Sequence, residues 1–286
     1  MTTRPEPDPV ATSDGSGGPA SSGGEGVVAR SSGRLRRRWA AGQPAVGVWS
    51  MLADPFVAEL LGACDADYVV LDLQHGAATW ADLPMLCQAM RAAGRAPLVR
   101  VPWNEPVHVM RALDCGAAGV VVPLVDSAED ARSAVRACAF PPAGERSWGP
   151  MWGDVRADGA LPPAQQDADV LCVVMVETRA GVDAVAEIAA VPGVDAVYVG
   201  PNDLALGCGH GRATYRDSAA VDALLQQVLD ACRSAGTVAG LHCSDTEMAA
   251  HWAGRGYGMV TTATDTTVLR HGLDAAFAEV AGRFDR

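Results

Sequence analysis

Short apolar runs alternate with amphipathic stretches from residue 45 almost to the C-terminus. Runs rich in β-branched residues and bounded by turn signals predict buried strands at 45–49, 68–73, 97–101, 119–123, 170–176, 196–199, 237–241 and 258–261. Segments with apolar positions at helical spacing predict helices at about 55–64, 80–93, 105–114, 127–138, 180–190, 219–235, 245–254 and 266–282. Gly94, Gly116, Gly236 and Gly256 stand where several of these helices should stop. Eight strand–helix pairs in strict alternation imply an α/β fold, a closed (β/α)8 TIM barrel over residues 34–286. A doubly wound sheet is the alternative, but it rarely uses eight such regular units.

Residues 1–33 are rich in Gly, Ser, Pro and Asp and nearly devoid of large apolar side chains. Such a segment cannot offset its ordering entropy, so a disordered N-terminal tail is expected. Arg34-Leu35-Arg36-Arg37-Arg38-Trp39 then opens the folded part, read as a short capping helix with solvated arginines. As a twin-arginine export signal it would need an apolar core, which Gly42, Gln43 and Pro44 interrupt. One connection breaks the rhythm, a Pro- and Gly-containing stretch at 141–168 that carries Trp148, Met151 and Trp152. Long loops in compact domains are usually functional. This one follows the helix after the fourth strand, so it should enter the next strand from the bottom of the barrel, where a subunit contact is as plausible as a part at the mouth.

Composition narrows the function classes. With 49% hydrophobic and 20% charged residues the profile is that of a soluble globular enzyme. A net charge of −12 argues against nucleic acid or an anionic membrane as partner. No run of roughly 18 apolar residues is present to span a membrane. The eight cysteines never form CxxC and mostly sit in apolar segments, so reduced core thiols in a cytoplasmic protein are expected. The sequence contains no lysine. Schiff-base catalysis by a lysine is thereby excluded, and carbanion chemistry would need another stabiliser, most plausibly a metal ion.

Polar and aromatic groups then stand at the ends of six strand-like runs: Trp49; Asp72, Gln74 and His75; Arg100; Glu177; Asn202 with Asp203; and His242. Any one of them could be structural, His75 as a hydrogen-bonded core histidine, Arg100 as a cation paired with Asp72, Trp49 as packing, but their recurrence at strand ends favours one active-site mouth. Glu177 and Asp203 close neighbouring apolar strands, with no Cys or His cluster beside them. Two such carboxylates suit a hard divalent ion, Mg2+, Mn2+ or Co2+, with positions left open for water and substrate. The bland reading of Asp203 is a helix N-cap. Together the groups suit proton abstraction beside a carbonyl: the ion as Lewis acid on a 2-oxo acid, Arg100 on the enolate oxygen, His75 moving the proton. A carboxylate beside the imidazole would raise its basicity, with Asp114 and Asp72 as candidates.

The same residues carry a resemblance. Gly47-Val48-Trp49, Asp72-Leu73-Gln74-His75-Gly76, Pro97-Leu98-Val99-Arg100-Val101-Pro102 and Leu113-Asp114-Cys115-Gly116-Ala117 occur in order. They are followed by Pro141-Pro142-Ala143-Gly144-Glu145-Arg146, Val176-Glu177-Thr178 and Val199-Gly200-Pro201-Asn202-Asp203-Leu204. From about residue 34 onward the chain resembles the HpcH/HpaI family of class II pyruvate aldolases. The resemblance implies a barrel whose last helix swaps between partners, usually in hexamers (trimers of dimers). It implies cleavage of 4-hydroxy-2-oxo acids to pyruvate and an aldehyde, and the reverse addition. It makes His75 the general acid/base, Asp114 the group raising its basicity and Arg100 the enolate stabiliser. Glu177 and Asp203 become metal ligands, with backbone amides near Asn202 and Asp203 holding the pyruvate carboxylate. Trp49, Gln74, Met175, Asn202 and His242 are the candidate substrate contacts. Two positions depart from the pattern: Gln74 stands where many members have glutamate, though the amide also occurs in the family, and Met175 stands where several aldolases have glutamine and macrophomate synthase-like members carry methionine. Ser147-Trp148 replaces a more usual Gly-rich turn. The alternatives are an oxaloacetate decarboxylase that traps the enolate in a biosynthetic step, and a catalytically silent barrel with a binding role.

Overall fold

A computed structural model describes residues 26–153 and 155–284. Its strands are β1 (Ala45–Ser50), β2 (Tyr68–Asp72), β3 (Leu98–Arg100), β4 (Gly119–Val122), β5 (Leu171–Val176), β6 (Ala196–Val199), β7 (Val238–His242) and β8 (Met259–Thr264). All pair in parallel in chain order, and β8 closes on β1, so the sheet is a barrel and not a doubly wound layer. The helices are α1 (Val27–Ala40), α2 (Pro55–Ala63), α3 (Leu83–Ala92), α4 (Pro106–Asp114), α5 (Ala128–Cys138) and α6 (Pro163–Asp169). They continue with α7 (Arg179–Asp183), α8 (Val185–Ala189), α9 (Pro201–Gly207), α10 (Ala219–Ala235), α11 (Thr246–Arg255) and α12 (Asp265–Arg283). All eight expected strands and all eight expected helical segments are present, the one at 180–190 broken in two at Ala184. The four glycine stops all have positive φ, from +73° to +120°, where a side chain would be strained.

Strand residues alternate between two cores. Val69 and Leu71, or Cys172, Val174 and Val176, pack outward against the helices. Tyr68 and Val70, or Leu171, Val173 and Met175, fill the lumen. The Tyr68 and Tyr198 hydroxyls meet at Thr261 Oγ1 across the lumen, at 3.1 and 2.5 Å. The same stride of two carries Asp72 inward after Val70, Arg100 after Leu98, Glu177 after Met175 and His242 after Gly240.

α1 closes the opposite end. Leu35, 2% exposed, plugs the lumen beside Ala45 and Met259. Of the four arginines expected to be solvated, Arg37 is exposed, but the other three are tied to the N-terminal ends of the strands. Arg34 pairs with Asp67 before β2, Arg36 with Asp195 before β6, and Arg38 donates to the Pro44 carbonyl before β1. Trp39 Nε1 donates to the Gly258 carbonyl before β8 at 2.8 Å. The expected tail boundary at residue 33 is also corrected: residues 27–33 form the first half of α1, with Ala29 and Ser32 buried. Composition missed this because the helix draws its stability from contacts with strand ends far along the chain. The disordered tail expected over residues 1–25 lies outside the described residues. The 141–168 connection does lie at the bottom: Met151 donates its backbone N–H to the Asp114 carbonyl, and a Cβ on Gly26 would touch Asp158. It is not wholly loop, because α6 forms behind the Pro162-Pro163 pair. All eight cysteines are free thiols. No helix among the described residues is long and apolar enough to cross a membrane.

Candidate active site

At the C-terminal end of the strands Asp72 organises the mouth. Its carboxylate, 1% exposed, receives Arg100 Nε at 2.9 Å and Nη2 at 2.5 Å, and Trp49 Nε1 at 3.0 Å. The backbone N–H groups of Gln74 and His75 donate to it at 2.9 and 3.2 Å. Burial alone would raise this carboxyl, but the hydrogen bonds and charge of Arg100 outweigh it and hold it below its usual value. Arg100 is fixed in a planar fork and lies over the Trp49 ring at 5.1 Å. His242 meets the same indole edge-on at 4.9 Å.

These groups line one cleft of about 160 Å³, with Trp49, His75, Arg100, Met175, Asn202, Asp203 and His242 on its walls. His75 is exposed there, and its imidazole has no hydrogen-bond partner among the described residues. It is free to meet a ligand. Burial first, and then the charge of Arg100, push the His242 imidazole down to about 4, so it is neutral at physiological pH.

Glu177 lies directly behind Gly200, where a Cβ would come within 2.6 Å of its Oε2. Its Oε1 accepts the Leu124 backbone N–H at 2.9 Å. Leu124 sits at φ +54°, a left-handed conformation that costs a non-glycine residue about 1–3 kcal/mol, and that turn presents its N–H to the carboxylate. Burial pushes Glu177 up to about 7; the Leu124 bond and Arg100 oppose this, while the charges of Asp203 and Asp126 reinforce it. Asp203 is in the first turn of α9, whose N-cap is Gly200, so the N-cap reading of Asp203 fails. Its side chain makes no hydrogen bond among the described residues. A buried carboxylate whose ionisation the neighbouring Asp203 charge opposes, and a second carboxylate without a partner, fit a divalent cation that would neutralise both. Among the described residues no group of three or more His, Cys, Asp or Glu side chains is poised to hold a metal. Two protein ligands alone would leave positions for a chelating substrate.

Two candidates are not brought to the cleft. Asp114 ends α4, at the entrance to β4, whereas His75 follows the exit of β2 at the other end of the barrel. Its carboxylate pairs with Arg146 Nη2 at 2.9 Å, and burial pushes it up despite that partner. It therefore does not act on His75 of the same chain. Gln74 contributes its backbone N–H to Asp72, and its side chain is not among the cleft walls. The pairing of Arg100 with Asp72 matches the reading of Arg100 as a paired cation. The other donors that Asp72 gathers and the strained Leu124 amide carry no local signal, while Gly200 was visible only as part of Gly200-Pro201-Asn202-Asp203.

Comparison with known proteins bears on the family and the fold. The sequence model of a family described as HpcH/HpaI aldolase/citrate lyase matches residues 45–272. The chain is 34% identical over 240 residues to the 2-dehydro-3,6-dideoxy-6-sulfogluconate aldolase of Pseudomonas putida, covering 83% of this chain and 93% of that protein. It is 33% identical over 237 residues to the hydroxypyruvate/pyruvate aldolase of Rhizorhabdus wittichii, covering 82% and 94%. Among solved structures it is similar to an HpcH/HpaI aldolase/citrate lyase family protein from Burkholderia cenocepacia J2315. That match has a TM-score of 0.78 at 33% identity and covers 87% of this chain and 98% of that one.

Proposed function

The chain belongs to the HpcH/HpaI aldolase/citrate lyase family, and from that premise we propose that it is a class II aldolase splitting 4-hydroxy-2-oxo acids into pyruvate and an aldehyde, and joining them in reverse. The observation that carries the reading is a cleft lined by a free imidazole, a fixed guanidinium and a carboxylate, His75, Arg100 and Asp203, with the Glu177 carboxylate directly behind its Gly200 wall. Glu177 and Asp203 would hold the divalent ion (Mg2+, Mn2+ or Co2+), which supplies the Lewis acidity that lysine-free carbanion chemistry requires. Arg100, already aligned by Asp72, faces the developing negative charge on the keto oxygen. The exposed His75 takes a proton from the carbon beside the carbonyl, or from the substrate's 4-hydroxyl in the cleavage direction. Backbone N–H groups near Asn202 and Asp203 receive the substrate carboxylate. A silent barrel would have no reason to keep Glu177 buried beside Asp203 at the cost that its raised pKa records.

The test is exchange of pyruvate methyl protons in D2O, followed by NMR with Mg2+ or Mn2+. Glu177→Ala and Asp203→Ala are expected to lose metal-dependent exchange, and His75→Ala to slow it by about 10²-fold or more. Exchange at the wild-type rate in EDTA, or in the His75 variant, removes the residue concerned from its role.

The assembly belongs to the same reading. α12 buries only Asp265, leaving Leu269, Leu273, Phe277 and Val280 in solvent, and α2 likewise shows Phe56 and Leu60. Uncovered apolar faces of this extent call for a partner, and a second copy that receives α12 satisfies them. Asp114 and His75, at opposite ends of one barrel, could also be paired only between copies.

A further inference from the structure

A second chamber opens beside the cleft, of about 240 Å³, sharing Pro201, Asn202 and His242 with it as a common wall. We propose that this chamber seats the acceptor aldehyde, and that it selects an uncharged aldehyde bearing hydroxyl groups. The inference rests on the aldolase reading and goes on to name the class of the second substrate.

Its position follows from strand order. The carboxylates Glu177 and Asp203 belong to the β5 and β6 side of the mouth, and Arg100 to β3. A keto acid turning its oxygens toward these groups turns its reactive carbon toward β1, β7 and β8. There Trp49 and His242 form the wall, and the chamber lies beyond His242, reaching Thr264 and Thr267 at the β8–α12 junction. An electrophile must approach that carbon from the space next to it.

Its chemistry follows from the lining. Thr214, Tyr215, Ser244, Thr264 and Thr267 bring hydroxyls, and no Arg, Asp or Glu side chain lines it. Thr214 donates to Asp217 at 2.7 Å and accepts the Arg216 backbone N–H at 3.2 Å, and Ser244 donates to Asp245 at 2.9 Å, so each keeps at least one lone pair to accept a ligand's hydroxyl proton. The Tyr215 hydroxyl has no partner among the described residues. Its ring is nonetheless held, stacked on His251 at 5.1 Å and edge-on to Trp252 at 5.6 Å, so the hydroxyl is pre-positioned. Arg216, over the Tyr215 ring at 5.0 Å, is already held by Asp245 and Glu247. An acidic aldehyde would therefore enter without a counter-charge, and an apolar one would leave polar groups unpaired.

The experiment uses the full chain with saturating Mn2+ and pyruvate. It compares D-glyceraldehyde, propanal and succinic semialdehyde as acceptors, with methyl-proton exchange measured separately and without any aldehyde. Wild-type kcat/KM is expected to favour glyceraldehyde at least tenfold over both others. Ala213→Leu, which fills the chamber, is expected to raise the glyceraldehyde KM tenfold or more, and Tyr215→Phe about threefold, the effect of one neutral hydrogen bond. Exchange should stay within twofold of wild type in both. Should Ala213→Leu not fold, Thr267→Val removes a lining hydroxyl at unchanged volume and is expected to raise the glyceraldehyde KM about threefold. A wild-type preference for the acid or for propanal, or an unchanged glyceraldehyde KM in the variants, overturns the proposal while ongoing exchange leaves the aldolase standing. Absence of exchange in the wild type overturns the aldolase reading, and this one falls with it.

Discussion

Asp72 illustrates how one side chain can serve a site it does not itself enter. It accepts five hydrogen bonds and so sets the guanidinium, the indole and the loop that carries His75. Asp72→Asn would leave the buried Arg100 charge without its anion. The expected loss is about 3 kcal/mol of stability by denaturant unfolding, together with a fall in kcat greater than any rise in KM. Glu177 and His242 act on pH dependence with opposite signs. Glu177 titrates near 7 when folded and near its ordinary 4.5 when unfolded. The metal-free fold therefore binds the extra proton between those values, and its stability falls as pH rises through them. His242, lowered to about 4 from an ordinary 6.5, makes the fold bind fewer protons, so its contribution is lost as pH falls from 6.5 to 4. In EDTA the difference between wild type and Glu177→Gln should fall by about 3 kcal/mol between pH 4.5 and 7, measured by urea unfolding. Glu177→Gln alone should gain stability with pH over the His242 window. At this scale the residue types were legible in the sequence, because a carboxylate or imidazole ending an apolar run stands out. The Asp72–Arg100 pair could be read from two adjacent strand ends, but the Trp49 indole that joins them on Asp72 could not, since it is 23 residues away on another strand.

Among the elements, strands were easier to find than to orient. Both faces of strands such as β2 are buried, so an unbroken run such as Val69-Val70-Leu71 shows no alternation, and the sequence does not reveal which face looks into the lumen. Closure of the barrel decides it, and with it why Asp72 faces the site while Leu71 faces a helix. α1 shows the converse case. Its tail-like beginning concealed a helix that plugs the lumen with Leu35 and ties Arg34, Arg36 and Arg38 to strand ends. Leu35→Ala is expected to cost about 2–4 kcal/mol by thermal or denaturant unfolding. Its effect on KM should be small, because the plug and the mouth lie at opposite ends of the strands.

At the scale of the whole molecule, α12 leaves Leu269, Leu273, Phe277 and Val280 exposed, the face that the proposed second copy would cover. Phe277→Asp with Leu273→Arg should lower the solution mass toward one chain by light scattering and reduce turnover, whereas the same changes in a monomeric enzyme would be silent. Pattern and motif determined the class of barrel, the eight units in order and the residues able to handle a proton, a carboxylate and a cation, because period and residue type are local properties of a chain. Tertiary structure decided which of them meet. It put Asp72 under Arg100, separated Asp114 from His75 by the length of the barrel, and opened a hydroxyl-lined chamber from segments near 202, 214, 242 and 264. Such meetings depend on how strands close and which parity turns inward, and no stretch of sequence contains that information by itself.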